Sequence, residues 1–334
     1  MKHVGIIGAG AWGTALALVA SRAGRSTLIW ALEPEVAADI NANHRNEALL
    51  PGIELDPSIR ATGDLAEAAA ADIVLLTVPA QFMGGVVARL APHLRAGAPV
   101  VICAKGIEVQ TGALMSEVVA SSLPRAPYAV LSGPTFADEI ARGLPAAATL
   151  ACTNTVLGRR IVEAIGGSFF RPYLADDPIG AQVGGAVKNT IAIGCGIVTG
   201  RRLGHSARAA LITRGLAEMA RLAVACGGRA ETMMGLSGIG DLTLTCNAEK
   251  SRNYALGVAL GGGARLADML AGRRSVVEGV YTAAAVTNLA KRLGVDVPIC
   301  EAVNAILHGG ADIGASIEAL LARPFRREGP GVLS

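Results

Sequence analysis

Aromatic side chains are scarce in this chain, with two tryptophans, four tyrosines and five phenylalanines in 334 residues. An excess of charge of one sign is missing too, since 30 lysines and arginines face 27 aspartates and glutamates, a net +3. With no lysine or arginine block to track a phosphate backbone or an anionic bilayer, nucleic acid and membrane surfaces are excluded as expected partners. No C-x-x-C pair occurs: Cys103, Cys152, Cys195, Cys226, Cys246 and Cys300 are dispersed singly, and no histidine stands at ligand spacing from any of them. This leaves no expectation of a zinc site or a disulfide framework, and it fits a reducing cytoplasm with the thiols serving as small buried hydrophobes. The five histidines show no partner pattern for catalysis, and no metal is expected. Internal repeats, low-complexity tracts and long polar linkers are also lacking. The length exceeds the ~250–300 residues at which single cores stop growing, so two domains are expected.

What is abundant is glycine, 42 residues of it, together with apolar runs. The start, MKHVGIIGAGAWGTALALVASRAG, has a basic end, an apolar stretch over residues 4–20 and small residues after it. Alone, that also reads as a signal peptide or short membrane span. Its internal divisions argue against this. HVGIIG is strand-like, Gly8-Ala9-Gly10-Ala11-Trp12-Gly13 is a glycine turn, TALALVASRAG is helix-like and ends at Gly24, and STLIW is a second strand candidate leading to the acidic Glu33. Strand, G-x-G-x-x-G turn, helix, strand, then an acid about 20 residues on is the order a dinucleotide site requires. The glycines permit the tight turn, the approach of a pyrophosphate and the packing of helix on strand, while the helix N-terminus favours the negative charge.

Further continuous apolar runs, DIVLLTVPA (72–80), PVVICAKG (99–106), YAVLSGP (128–134) and AATLAC (147–152), read as strands covered on both faces. Helix-like stretches separate them. The expected architecture is α/β: a doubly wound Rossmann-type domain over residues 1–177, followed by an all-helical domain over 178–334. Ligands in such sheets bind beyond the carboxyl ends of the strands, where Pro79, Lys105 and SGPTFA (132–137) fall.

In the segment GAQVGGAVKNTIAIGCGIVTG (180–200), a lysine sits among small apolar residues. On a helix, Lys188 shares its face with Gly184, Gly185, Ile191, Ala192 and Cys195, so no carboxylate three or four residues away can neutralise it. Its partner must come from another element. A solvated lysine with its stem on apolar surface is the bland alternative. A helix that is small and apolar nearly all round argues instead for a buried or cleft-lining cation, and desolvation beside another cation would lower its proton affinity toward neutrality. Lys188 is therefore a candidate general acid and base.

GAGAWGTA, AKGIE, SGPTFA, GGAVKN, ARAALITRGLAEM, GIGDLTLTC, SRN and VVEG occur in the order and spacing of the NAD(P)-dependent glycerol-3-phosphate dehydrogenases, and the chain resembles the bacterial members from residue 2 to about 325. The resemblance implies reversible hydride transfer at C2 between NAD(P)H and dihydroxyacetone phosphate, giving sn-glycerol 3-phosphate for phospholipid synthesis. It implies that Lys188 exchanges the proton, that Asp241 orients Lys188 with Thr245 one helical turn along, and that Lys105 and Asn189 hold the reacting oxygen and hydroxyls. Ser251, Arg252 and Asn253 would grip the phosphate, and Gly133 and Thr135 would also meet the substrate. The dinucleotide would lie on Gly8, Gly10, Ala11, Trp12, Gly13, Glu33, Lys105 and Ala137, with Arg252, Val276 and Glu278 contributed by the helical domain. A site split in this way is expected to close around its ligands and exclude water from the hydride path.

The residues after Trp30 depart from the family's habit. Where a basic or histidine side chain commonly meets a ribose 2′-phosphate, this chain has Ala31, Leu32 and Glu33. A carboxylate there repels a 2′-phosphate and accepts from a free 2′-hydroxyl, which leans the expectation toward NAD over NADP. Read locally, Asp241 also suits a helix cap and Arg252 a solvated surface position. Two rival readings remain: a two-domain hydroxy-acid or keto-acid dehydrogenase, which would want a carboxylate grip, and a non-catalytic dinucleotide-binding redox sensor, which would have no need of Lys188 and Asp241. A homodimer stands as the candidate assembly.

Overall fold

Eight short strands set the frame of the first half: β1 (His3–Ile7), β2 (Ser26–Trp30), β3 (Arg60–Thr62), β4 (Ile73–Leu76), β5 (Val100–Ile102), β6 (Tyr128–Ser132), β7 (Ala146–Ala151) and β8 (Phe170–Ala175). The computed structural model describes residues 1–271 and 276–324; residues 272–275 and 325–334 of the expected second domain lie outside that range. The strands form one sheet in the order β3-β2-β1-β4-β5-β6-β7-β8, parallel throughout except at β6–β7. Helices follow the strands, as parallel crossovers require. The central strands are apolar and buried along their whole length, as in the IVLL of β4, because helices cover both faces. The strands over 72–80 and 99–106 are shorter than their apolar runs, since Thr77-Val78-Pro79 and Cys103-Ala104-Lys105 have already left the sheet.

Two strands were not expected. β3 has only three residues, too few for a pattern. β8 lies at the sheet's edge, alternates buried and exposed positions and contains Pro172, which an edge tolerates because one side of the ladder needs no donor.

Register places Ile7 opposite both Trp30 and Leu76, and Leu76 opposite Ile102. Gly8, Ala31, Thr77 and Cys103 therefore emerge together at the carboxyl edge, where the chemistry of such sheets is found. The Ala11–Arg22 helix begins at that edge and buries Gly13 through Ala20 against the sheet core.

By internal contacts, Met1–Ala104 and Met115–Pro178 form one unit, while Lys105–Leu114 joins Ile179–Ser334 in a second. Among its described residues the second unit is helical, with its longest helices at Pro178–Gly200, His205–Ala225 and Glu278–Leu293. Ile107 and Leu114 pack into its core beside Val187, Ile191 and Leu242.

The small residues of the Pro178–Gly200 helix exist for close approach. A Cβ on Gly196 would fall 2.2 Å from Tyr254 O, and one on Gly200 would fall 2.3 Å from Val258 O. The facing Arg252–Gly261 helix answers with Gly257 and Gly261, whose own Cβ atoms would meet Ile193 O at 2.1 Å and Ile197 O at 2.5 Å. Paired glycines four apart let two backbones touch, which fixes Ser251, Arg252 and Asn253 relative to Lys188 and Asn189. Elsewhere in this unit, buried Glu218 accepts from Ile299 N at 2.7 Å and Cys300 N at 3.1 Å, capping the Pro298–His308 helix from outside. Burial pushes its carboxyl up to about 7 against the pull of those two N–H groups.

Candidate active site

Lys188 lies midway along the Pro178–Gly200 helix and is 6% exposed. Its Nζ donates to Asp241 Oδ1 at 2.6 Å and to Thr245 Oγ1 at 2.7 Å. The partner thus comes from another element, the Asp241–Asn247 helix. Gly184 brings that helix near, because a Cβ there would sit 2.3 Å from Ser237 O in the π-type turn Leu236–Gly240 just ahead of Asp241. Thr245 follows Asp241 by one turn, donates its hydroxyl to Asp241 O at 2.6 Å and so offers its lone pairs to Lys188.

The second oxygen of Asp241 accepts from Lys105 Nζ at 2.7 Å. One carboxylate, 1% exposed, therefore holds two ammonium groups, and the trio carries a net positive charge. Burial is the largest influence on Lys188 and lowers its pKa from 10.5 to about 8; Asp241 pulls upward, and Lys105 pushes further down. An amine poised there can hold or release a proton near neutrality.

Asn189, next along the helix, donates through Nδ2 to Lys105 O at 3.3 Å and accepts at Oδ1 from Asn253 Nδ2 at 2.9 Å. Asn253 Oδ1 in turn accepts from Gly279 N at 3.0 Å, tying in the first turn of the Glu278–Leu293 helix. Ser251 is buried and caps the Arg252–Gly261 helix by accepting from Tyr254 N at 3.3 Å. Arg252 is exposed at the first position of that helix, and Val276 and Glu278 are half-buried. Within the second unit the structure thus joins Lys105, Lys188, Asn189, Asp241, Thr245 and Asn253 in one hydrogen-bonded set, and Ser251 and Arg252 are the two residues that precede Asn253 in the chain. Cys195 and Cys246 are buried, and desolvation holds the Cys246 thiol well above its ordinary range, so neither is a ready nucleophile.

The remaining expected residues belong to the first unit. Gly8 has φ +118°, a conformation that favours glycine, and a Cβ on Gly13 would fall 1.9 Å from Gly8 O. Gly10 is the N-cap of the Ala11–Arg22 helix, which has no side-chain cap among the described residues and no acidic residue in its first turn. Free N–H groups, the positive end of the helix dipole and close backbone approach together suit a dinucleotide's diphosphate. Trp12 is half-buried against the core. Glu33 is exposed just past β2, at the head of the Pro34–Asn43 helix, without a capping bond. Gly133 follows β6 so closely packed that a Cβ would meet Ala148 Cα at 2.8 Å; Thr135 Oγ1 donates to Gly133 O at 3.2 Å, and Ala137 opens the next helix. Around the glycine turn stand three residues with no signal in the sequence pattern, Thr14, Asn46 and Thr77.

Two family models match the chain: NAD-dependent glycerol-3-phosphate dehydrogenase N-terminus over residues 3–157 and NAD-dependent glycerol-3-phosphate dehydrogenase C-terminus over 177–318. A glycerol-3-phosphate dehydrogenase [NAD(P)+] of Parvibaculum lavamentivorans is 55% identical over 327 residues, covering 98% of each chain. That of Caulobacter vibrioides is 56% identical over 327 residues, covering 98% of this chain and 99% of its own. Among solved structures, a glycerol-3-phosphate dehydrogenase from Coxiella burnetii superposes with a TM-score of 0.92 at 38% identity, covering 96% of this chain and 99% of that one.

Proposed function

This chain belongs to the NAD-dependent glycerol-3-phosphate dehydrogenase family, and on that footing we propose that it interconverts dihydroxyacetone phosphate and sn-glycerol 3-phosphate with Lys188 as general acid and base. The observation that carries the proposal is the buried Lys188 ammonium, held by Asp241 and Thr245 at a pKa of about 8.

When bound, the nicotinamide ring supplies the hydride to C2 in reduction and receives it in oxidation. The chain's own residues manage the oxygen. As C2 gains the hydride, Lys188 passes a proton from Nζ to the former carbonyl oxygen, leaving a neutral amine; in oxidation that amine takes the hydroxyl proton back. Asp241 and Thr245 fix the direction of Nζ, and Lys105 stabilises negative charge gathering on the oxygen. Asn189 assists in holding the oxygen and hydroxyls. Ser251, Arg252 and Asn253 grip the phosphate, where a guanidinium fork and the second N–H of the Asn253 amide match phosphate oxygens. Gly133 and Thr135 complete the substrate contacts.

The dinucleotide is assigned to Gly8, Gly10, Ala11, Trp12, Gly13, Glu33 and Ala137, with Lys105, Arg252, Val276 and Glu278 contributing from the second unit. Either NAD or NADP serves, and the exposed Glu33 carboxylate favours NAD. No helix among the described residues is long and apolar enough to cross a membrane. A cytoplasmic enzyme supplying glycerol 3-phosphate for phospholipid synthesis, with residues 1–177 as dinucleotide domain apart from 105–114, which group with the 178–334 catalytic domain, is the setting we assign. The homodimer is checked by its mass in solution.

The test follows absorbance at the reduced-nicotinamide band with dihydroxyacetone phosphate and NADH or NADPH. Substrate-dependent oxidation by the natural chain, falling by ~10²-fold or more in Lys188→Ala, is expected. An inert dihydroxyacetone phosphate alongside a reactive keto acid would replace the substrate assignment, and dinucleotide binding without turnover of either would replace the enzyme with a sensor.

A further inference from the structure

The glycine turn is braced from behind by three side chains of its own unit. Asn46 is 1% exposed, and its Nδ2 donates to Ala9 O at 2.7 Å and to Thr14 Oγ1 at 2.8 Å. Thr14, fully buried, can therefore send its own proton to Ala9 O, 3.3 Å away. Thr77, the first residue past β4, places Oγ1 at 3.0 Å from Ile7 O and 2.9 Å from Gly8 O. The Thr77 hydroxyl has a single proton, and Ile7 O already accepts from Thr77 N at 3.0 Å, so the two successive carbonyls of Gly8 and Ala9 are the ones held by side-chain donors.

The chain goes to some trouble to deliver Asn46. The Pro34–Asn43 helix stops at His44, which takes a left-handed conformation with φ 51°. The chain then doubles back, and Leu49 N and Leu50 N both donate to Asn46 O. Oδ1 of Asn46 is buried with no hydrogen-bond partner among the described residues.

In a planar trans peptide the carbonyl and the following N–H point in opposite directions. Tying back the carbonyls of Gly8 and Ala9 turns the N–H groups of Ala9 and Gly10 away from the brace, next to the uncapped N-terminus of the Ala11–Arg22 helix. We propose that Asn46, acting with Thr14 and Thr77, is a positioning residue for the dinucleotide, presetting the backbone N–H groups of the glycine turn for the diphosphate. The proposal rests on the reading that this turn binds dinucleotide. Preorganised donors bind without first reorganising, so loss of the brace should appear in dinucleotide affinity and leave the proton-transfer residues unaffected.

The experiment measures NADH binding by calorimetry, together with steady-state rates, for the natural chain, Asn46→Asp, Thr77→Val and Thr77→Ser. Asn46→Asp matches the shape but sets an acceptor against Ala9 O; Thr77→Val removes the hydroxyl at nearly constant volume, and Thr77→Ser restores it. The Kd for NADH is expected to rise ~10-fold or more in Asn46→Asp and Thr77→Val, and to stay within about 3-fold of the natural value in Thr77→Ser. The KM for NADH follows Kd, while kcat at saturating NADH does not fall and the KM for dihydroxyacetone phosphate holds. Should Asn46→Asp fail to fold, the Thr77→Val and Thr77→Ser pair decides alone. Natural affinity in Thr77→Val, or a joint fall of kcat with both KM values rising, overturns the brace. A natural chain that binds neither NADH nor NADPH overturns the reading beneath it.

Discussion

Asp241 does more at the residue scale than hold one lysine. Its two oxygens each take an ammonium, so it sets the charge seen by Lys188 and, in the proposed mechanism, the charge that Lys105 offers to the reacting oxygen. Of the groups around Lys188 it is the strongest upward pull on an amine that burial drives down to about 8. Replacing it by asparagine keeps the shape and removes the charge, leaving two cations facing each other. Asp241→Asn is therefore expected to move the pH midpoint of reduction below that of the natural enzyme and to cut the rate at neutral pH by ~10²-fold or more, as read from a pH series of initial rates. A midpoint that stays in place would show that the carboxylate does not tune the amine. Part of this was legible beforehand. Lys188 stood out because its helix face offers it no counter-ion, so an outside partner had to exist. That the partner is Asp241, 53 residues later, came only from family resemblance, because helical spacing says nothing about which helices meet. Asn46, Thr14 and Thr77 carried no signal at all, since their contacts with the glycine turn exist only once β1, β4 and the turn after the Pro34–Asn43 helix are assembled.

At the element scale, the Pro178–Gly200 helix resolves the puzzle of a lysine among glycines and alanines. Its small residues are there to be touched: Gly184 by the turn before Asp241, and Gly196 and Gly200 by the Arg252–Gly261 helix. The same closeness that leaves little water around Lys188 carries Ser251, Arg252 and Asn253 into register with it. Gly257→Ala would drive a methyl to 2.1 Å from Ile193 O, a contact with backbone that cannot rotate away. We expect it to cost about 1–3 kcal/mol of stability in chemical denaturation and to raise the KM for dihydroxyacetone phosphate more than the KM for NADH, because the shifted helix carries the phosphate grip we propose. Equal shifts in both KM values would place the role of the glycine contact elsewhere. The helices themselves were visible as long apolar periodic stretches, but the glycine-to-glycine contact was not, because glycines in an apolar run also read as strand, turn or membrane segment.

At the scale of the whole molecule, the two units divide the chemistry. The first builds a sheet whose carboxyl edge presents a glycine turn, and the second encloses a cation pair on a single carboxylate. The sheet was readable because strands covered on both faces leave uninterrupted apolar runs, whereas β3 and β8 escaped by brevity and by edge alternation. The grouping of Lys105–Leu114 with the second unit was not readable, since that segment follows β5 directly and only the burial of Ile107 and Leu114 reveals its allegiance. In the proposed reaction one buried amine gives its proton in one direction and recovers it in the other, and the decisive measurement is the pH dependence of kcat/KM in both directions. Reduction needs the ammonium, so its rate should fall as pH rises through about 8; oxidation needs the free amine, so its rate should climb through the same midpoint and level off above it. A midpoint far from about 8 in both directions, or the same midpoint in Lys188→Ala, would contradict that role.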